Sequence, residues 1–149
     1  MIAETARTLQ ASAPIWLPAA AGFGVVWNLY GAYQFAGSFF QTRESLVAIG
    51  MTASQAELYL SLPAWLSVVF AIGVLGGLAG SIALLMRRRI ALPILAASLV
   101  GYVLLFGGDA YYGVFANIPT QLVILAVVVA IAIALFAVSV HAGKRSMLD

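Results

Sequence analysis

The sequence AIGVLGGLAGS, residues 71–81, decides the fold of this chain. It places Gly73, Gly76, Gly77 and Gly80 among leucine, valine, isoleucine and alanine. Gly73 and Gly77 are one helical turn apart, as are Gly76 and Gly80, so the four glycines share one side of a helix. In water each interior glycine costs about 1 kcal/mol relative to alanine. In a bilayer the segment stays helical, and its glycines allow a second backbone to approach closely. We therefore predict a central membrane helix that packs through its glycines.

Three further long uncharged stretches flank this one. A membrane-spanning helix needs about 20 residues, so each stretch holds one span, at about 15–39, 62–86, 90–111 and 119–141. Only 8% of the residues are charged and 64% are hydrophobic, whereas a soluble domain has about 25% charged residues. The sequence therefore predicts an all-α, polytopic membrane protein, a single domain formed by a four-helix transmembrane bundle. Alternatively, the first stretch is a signal peptide, because Arg7 precedes it and residues 19–21 resemble a cleavage site.

Basic residues predict the orientation. Arg87, Arg88 and Arg89 form the link between the second and third spans, and positive charges favour cytoplasmic loops. Both termini are then cytoplasmic in a bacterial inner membrane. Six of the seven basic residues fall inside and Arg43 falls outside. The arginine triplet determines topology in this interpretation, and a contact with anionic lipid or an acidic partner is the alternative.

The longest connection, residues 40–61, lies outside in this topology. Thr52 with Gln55, or Ser54 with Glu57, forms a capping box that starts a short helix at the membrane interface. The connection is either a surface lid between helices or a gate for a substrate.

A polar strip crosses the first span. Asn28, Gly31 and Gln34 follow one another at intervals of three residues, and Tyr30 and Tyr33 flank them. An amide near the bilayer centre either pairs with another helix or contacts a ligand. Counting from the interfaces places Tyr102 at the depth of Asn28, which makes the two plausible partners. Asp109, at the outer end of the third span, is either a solvated acid or a buried functional carboxylate. The last span is apolar all round, and we expect it to lie outside the other three, facing lipid.

Catalytic and metal chemistry have little support in the sequence. The chain has no cysteine and one histidine, so thiolate and multi-histidine metal sites are excluded. His141 and Asp109 fall at opposite membrane faces, and no glycine-rich loop precedes a helix in the manner of phosphate sites. No basic cluster alternates with aromatic residues, so nucleic acid is not an expected partner. We therefore expect neither an enzyme nor a bound cofactor.

Several motifs in the first two-thirds of the chain resemble those of a known family. They are Trp27-Asn28-Leu29-Tyr30-Gly31, then Pro63-Ala64-Trp65, the glycine-rich stretch 73–81, and the basic turn 87–89. This combination resembles small bacterial four-span membrane proteins that often carry the label "sugar transporter". The resemblance covers about residues 25–101 and implies membrane location more directly than it implies transport.

Two functions follow as alternatives. In the first, the protein is an accessory or interaction subunit without catalytic chemistry, which packs into a homo-oligomer or larger membrane complex through its glycines. In the second, it is an uncoupled transporter of a small, sugar-like solute and works as a homo-oligomer, because amide and aromatic groups suit hydroxyl-rich ligands. The first is the main prediction from the sequence.

Overall fold

The computed structural model describes residues 14–149, and this part of the chain is helical with no strand. Four long helices and three short ones follow one another. They are α1 (Trp16–Ser38), α2 (Arg43–Ala48), α3 (Ala53–Ser61), α4 (Ala64–Leu85), α5 (Ala91–Tyr111), α6 (Val114–Asn117) and α7 (Pro119–Lys144). The long helices match the four predicted spans to within three residues at every end. The predicted cytoplasmic position of Arg7 lies outside the described residues.

Three of the helices, α4, α5 and α7, are long and apolar enough to cross a membrane, judged over residues 14–149 by length and composition. The prediction of an all-helical membrane protein is confirmed at this level. Helix α1 has 23 residues but does not meet the same criterion. The reason is its polar content, since Asn28, Tyr30, Tyr33 and Gln34 all fall in its second half.

Helices α4 and α5 form the centre of the bundle and run antiparallel. A Cβ atom on Gly73 would meet the Tyr102 ring, and one on Gly80 would meet Leu95. Gly101 of α5 approaches the backbone of α4 so closely that its Cβ would lie 2.9 Å from the Gly73 nitrogen. Small residues on both helices therefore bring the two backbones together, as close packing in a bilayer requires.

Helix α1 lies along the other side of α4. Gly24 contacts Ser81 and Asn28 contacts Gly77. The rings of Phe35 and Phe70 meet at 5.3 Å. These contacts extend over about 16 Å of α1 at 1.5 Å per residue, so α1 runs antiparallel to α4 along most of its length.

Helix α7 closes the bundle. Its Leu125, Ala132, Leu135, Ser139 and Ala142 are buried, and Leu135 packs with residues of α1, α4 and α5 in one apolar cluster. The expectation that this helix lies outside the bundle is therefore wrong for one of its faces. A uniformly apolar helix carries no sequence signal for which face is inward, although α7 is the least buried of the three apolar helices.

The arginine link, residues 86–90, joins α4 to α5 and is held by the C-terminal tail, residues 145–149. The Arg89 amide donates to the Asp149 carbonyl at 2.7 Å, and the Asp149 amide donates to the Arg87 carbonyl at 2.7 Å. The Nε atoms of Arg87 and Arg89 donate to Met147 and Leu148 carbonyls at 3.2 and 3.3 Å. The Leu148 side chain is buried. We call this end of the bundle the arginine end.

At the opposite end, the loop end, the connection between α1 and α4 carries two short helices where one was predicted. The capping box of Thr52 and Gln55 starts α3 and is confirmed. A second box, formed by Thr42 and Ser45, starts α2 and was missed, because its third residue after the cap is serine rather than the usual Glu or Gln. An exposed ion pair of Arg43 and Glu57 at 3.1 Å joins the two helices.

Candidate functional site

A cavity of about 630 Å³ lies in the loop half of the bundle, between α1, α4, α5 and α7. Its volume is within the range of small-molecule sites, which is roughly 300–1,000 Å³. The connection after α1 contributes Gln41, Tyr59 and Leu60 at the loop end. Trp27, Tyr102 and Val128 mark its deepest level. The cavity therefore reaches from the loop end to about the middle of the long helices.

The cavity exists because α1 and α7 separate toward the loop end. At the arginine end the rings of Trp16 and His141 lie 5.7 Å apart, and Leu135 approaches Gly24. Beyond Trp27 and Val128 the two helices line opposite walls of the cavity instead. The bundle is thus closed in its arginine half and open inside in its loop half.

Tyr102 lines the floor of this cavity, and Asn28 lies directly beneath it; we call the two together the floor. The Tyr102 hydroxyl donates to Asn28 Oδ1 at 3.2 Å, which is the pairing expected from their common depth. Asn28 Nδ2 in turn donates to the Gly24 carbonyl at 2.8 Å. The amide is only 2% exposed, and both of its ends are bonded. Beneath the pair is a void of about 10 Å³, no larger than one water molecule needs.

Two of the four glycines of α4 support this floor, and the other two pack against α5. Gly77 contacts the Asn28 amide. Gly73 lies so close to the Tyr102 ring that a Cβ atom on residue 73 would be 2.7 Å from it. Gly76 lies against Ser98, whose hydroxyl donates to the Gly73 carbonyl at 2.5 Å. The Leu95 side chain fills the space beside Gly80. The glycine surface is therefore covered by α1 and α5 of the same chain.

Asp109 is a buried carboxylate on the cavity wall. It lies in the last turn of α5 and is 4% exposed, so the alternative of a solvated loop acid is wrong. Its carboxylate accepts a hydrogen bond from the Gln121 side chain of α7. The C-terminal end of a helix carries a partial negative charge, so the dipole of α5 disfavours the Asp109 carboxylate.

Tyr59 of α3 lies beside Asp109 at the loop end of the cavity. Burial, and to a smaller degree the charge of Asp109, raises the pKa of the Tyr59 phenol above its ordinary value. The phenol therefore stays protonated at neutral pH and can donate a hydrogen bond. Gln41, on the same connection, lines the cavity as well.

The predicted polar strip is divided by the structure. Tyr30, Gly31 and Gln34 line the cavity, and Gln34 donates to the Tyr30 hydroxyl at 3.3 Å. Tyr33 does not line it and is 73% exposed on the outside of α1. Asn28 lies beneath the cavity and not on its wall. A spacing of three residues turns by about 300°, so it drifts around the helix and does not keep one wall.

Sequence reasoning missed five polar side chains on the wall: Ser38, Gln41, Tyr59, Ser67 and Gln121. Two of them belong to the connection between α1 and α4, whose path no periodicity fixes. Gln121 had a signal, since it is the only amide side chain in the last span. In the part of the chain that the structure covers, no three His, Cys, Asp or Glu side chains come together as a metal site would need.

The chain matches no family model, no curated protein and no solved structure. The site therefore has to be interpreted from its own geometry and chemistry.

Proposed function

We propose that this protein binds a small polar solute in the loop-half cavity and moves it across a bacterial inner membrane. The observation that carries the proposal is the cavity itself, which runs from the loop end to a floor at mid-depth. Its wall combines aromatic rings with amide, hydroxyl and carboxylate groups, the mixture that binds small polar molecules. A cavity open to one side and closed at mid-depth matches one state of an alternating-access cycle.

The proposal includes four passes, with α1 as the additional span. Helix α1 has 23 residues, enough for a bilayer core of about 30 Å. Its support is the antiparallel packing against α4 from Gly24 to Phe35. A bilayer that surrounds α4 would also surround α1. The polar side chains that lower its hydropathy face the cavity or the Asn28–Tyr102 floor, apart from Tyr33.

The arginine end is proposed to be cytoplasmic, with Arg87, Arg88 and Arg89 as topology determinants. The tail places Lys144 and Arg145 at the same end as this link, and Arg43 lies at the opposite end. The short helices α2 and α3 would then lie at the outer interface.

Reporter fusions test this topology. Phosphatase and fluorescent reporters placed after Arg89, and after Asp149 through a flexible linker, should both report cytoplasm because the basic residues gather there. A periplasmic signal at either position would contradict the orientation and place the cavity mouth on the cytoplasmic side.

Transport is proposed to be uncoupled and carried out by a homo-oligomer. Over residues 14–149, Asp109 is the one acidic or basic residue on the cavity wall, and no relay of carboxylates or histidines continues from it through the closed half. The cavity is flanked by the separating helices α1 and α7, and four helices alone enclose little space. A second copy of the chain would complete the wall there.

An accessory or interaction subunit, the main prediction from the sequence, has less support from the geometry than transport has. That prediction rested on the glycine surface of α4, on the uniformly apolar last span and on the lack of ionisable groups at mid-depth. Each of those glycines is covered by a side chain of the same chain. A partner would have to use the exposed apolar faces of α1 and α7, which contact with lipid explains equally well.

Cysteine labelling tests whether the cavity is open to water. The natural chain has no cysteine, so a single Gly31→Cys variant places one thiol on the cavity wall, with Val74 at an ordinary distance of 3.4 Å. We expect a membrane-impermeant methanethiosulfonate reagent, added to intact cells, to label it from outside. We also expect that labelling to prevent solute entry.

Leu29→Cys is the matched control. Leu29 is two residues away on the same helix, is 53% exposed and does not line the cavity. Its thiol would face lipid and stay unlabelled. Equal labelling of the two variants, or none of Gly31→Cys, would contradict a water-filled binding cavity.

A further inference from the structure

We propose that the solute is an organic cation, an amine or quaternary ammonium ion, whose charge is matched by Asp109. The inference rests on the proposed function and narrows it, because the sequence resemblance points to neutral, sugar-like molecules. It depends on the charge and hydrogen-bonding character of the cavity wall.

Asp109 is the only formally charged residue on the wall, and no lysine, arginine or histidine of residues 14–149 joins it there. An ion pair of Arg43 with Glu57 lies outside the cavity on exposed side chains. A buried carboxylate without a positive partner is costly, and one hydrogen bond from Gln121 offsets only part of that cost. A ligand with a positive charge supplies the missing partner.

The neighbouring polar groups also favour a hydrogen-bond donor as ligand. The Gln41 Oε1 atom is buried and accepts no hydrogen bond from the described chain, and Gln41 lines the same cavity. A buried acceptor left unpaired costs about 1–3 kcal/mol. Asp109 and Gln41 together thus present acceptors, which an ammonium group with its N–H bonds satisfies.

Aromatic rings complete the wall. Trp27, Tyr30, Tyr59 and Phe70 all line the cavity. The face of an aromatic ring attracts a cation, most strongly for tryptophan and most effectively away from water. Quaternary ammonium ions have no N–H bonds and are held by rings and a carboxylate instead. The wall therefore fits both kinds of ammonium, whereas a neutral sugar would leave the carboxylate charge unmatched.

The test uses three probes on the full-length protein in lipid nanodiscs. They are choline, its neutral isostere 3,3-dimethylbutan-1-ol, and glucose. Binding can be followed by isothermal titration calorimetry, with the fluorescence of a Trp16→Phe, Trp65→Phe variant, which keeps only Trp27 on the cavity wall, as a second readout. We expect choline to bind at least about tenfold more tightly than the alcohol of the same shape, and glucose to bind no better than the alcohol.

Two variants assign the effect to the carboxylate. Asp109→Asn keeps the size and removes the charge, and we expect it to weaken choline binding at least about tenfold while leaving the alcohol unaffected. Glu44→Gln removes a carboxylate from an exposed position on α2 and should change nothing. The comparison of choline with its isostere uses the unaltered protein, so it stands even if Asp109→Asn does not fold.

Equal binding of choline and the alcohol, or tighter binding of glucose, would overturn the inference while leaving solute binding intact. Unchanged choline binding in Asp109→Asn would also overturn it. Failure of the proposed binding cavity itself has a different signature, because none of the three probes would then bind and Gly31→Cys would remain unlabelled.

Discussion

Replacing Gly77 with leucine is expected to lower the free energy of unfolding by at least about 3 kcal/mol. Forcing extra carbons into a packed interior costs about 1–3 kcal/mol and occasionally more. At Gly77 the Cβ atom alone would already clash with the Asn28 amide. The leucine would therefore also displace Asn28 from Tyr102 and Gly24. Unfolding in mixed detergent micelles, followed by circular dichroism, measures the loss.

Gly22→Leu and Gly107→Leu are the matched controls. Each glycine lies in the interior of a long helix, and a Cβ atom there meets nothing within 4 Å. We expect both variants to unfold within about 0.5 kcal/mol of the unaltered protein, as surface substitutions usually do. If Gly77→Leu were as stable as Gly107→Leu, the packing of α1 against α4 would be wrong.

The second large effect is expected for Tyr102→Ala, a loss of about 3–5 kcal/mol. The Tyr102 side chain is 4% exposed, its ring fills the space above Gly73, and its hydroxyl bonds to Asn28. Removing the ring leaves a void between α4 and α5 that neighbouring helices can fill only by moving. The same unfolding measurement gives the value.

Tyr102→Phe separates the ring from the hydroxyl. This variant keeps the packing and loses only the bond to Asn28, which in a membrane is worth about 0.6 kcal/mol on average and up to about 2 kcal/mol. Asn28→Ala should cost about 0.5–2 kcal/mol for the same bond and its contact with Gly24. In a double-mutant cycle the two losses should be less than additive. Full additivity would mean that the bond across the floor contributes nothing.

The long helices and the depth of the floor could be predicted from the sequence. Each long uncharged stretch of the sequence forms one long helix, so the four helix ranges were accurate. Distance along a helix axis also follows from residue counting, which placed Asn28 and Tyr102 at one level. Both quantities depend only on the rise per residue.

The rotation of each helix about its own axis, which decides the face that points into the bundle, could not be predicted in the same way. Tyr33 was placed on the polar strip with Gln34, but the structure turns it outward. The inward face of α7 was missed because every face of that helix is apolar. The cavity depends on the angle between α1 and α7. That angle depends in turn on the contact between Leu135 and Gly24 in the arginine half of the bundle. No local pattern encodes such an angle.

The pairing of the C-terminal tail with the arginine link has a consequence for the order of folding. It joins residues about 60 positions apart in the chain, whereas α4 and α5 are neighbours that can pack as soon as both have entered the bilayer. Contacts of such large separation form late, after the loop between them is closed. The α4–α5 hairpin is therefore the early unit of assembly. The tail can complete the arginine end only after α7 is in place, so we expect this pairing to form later than the α4–α5 hairpin.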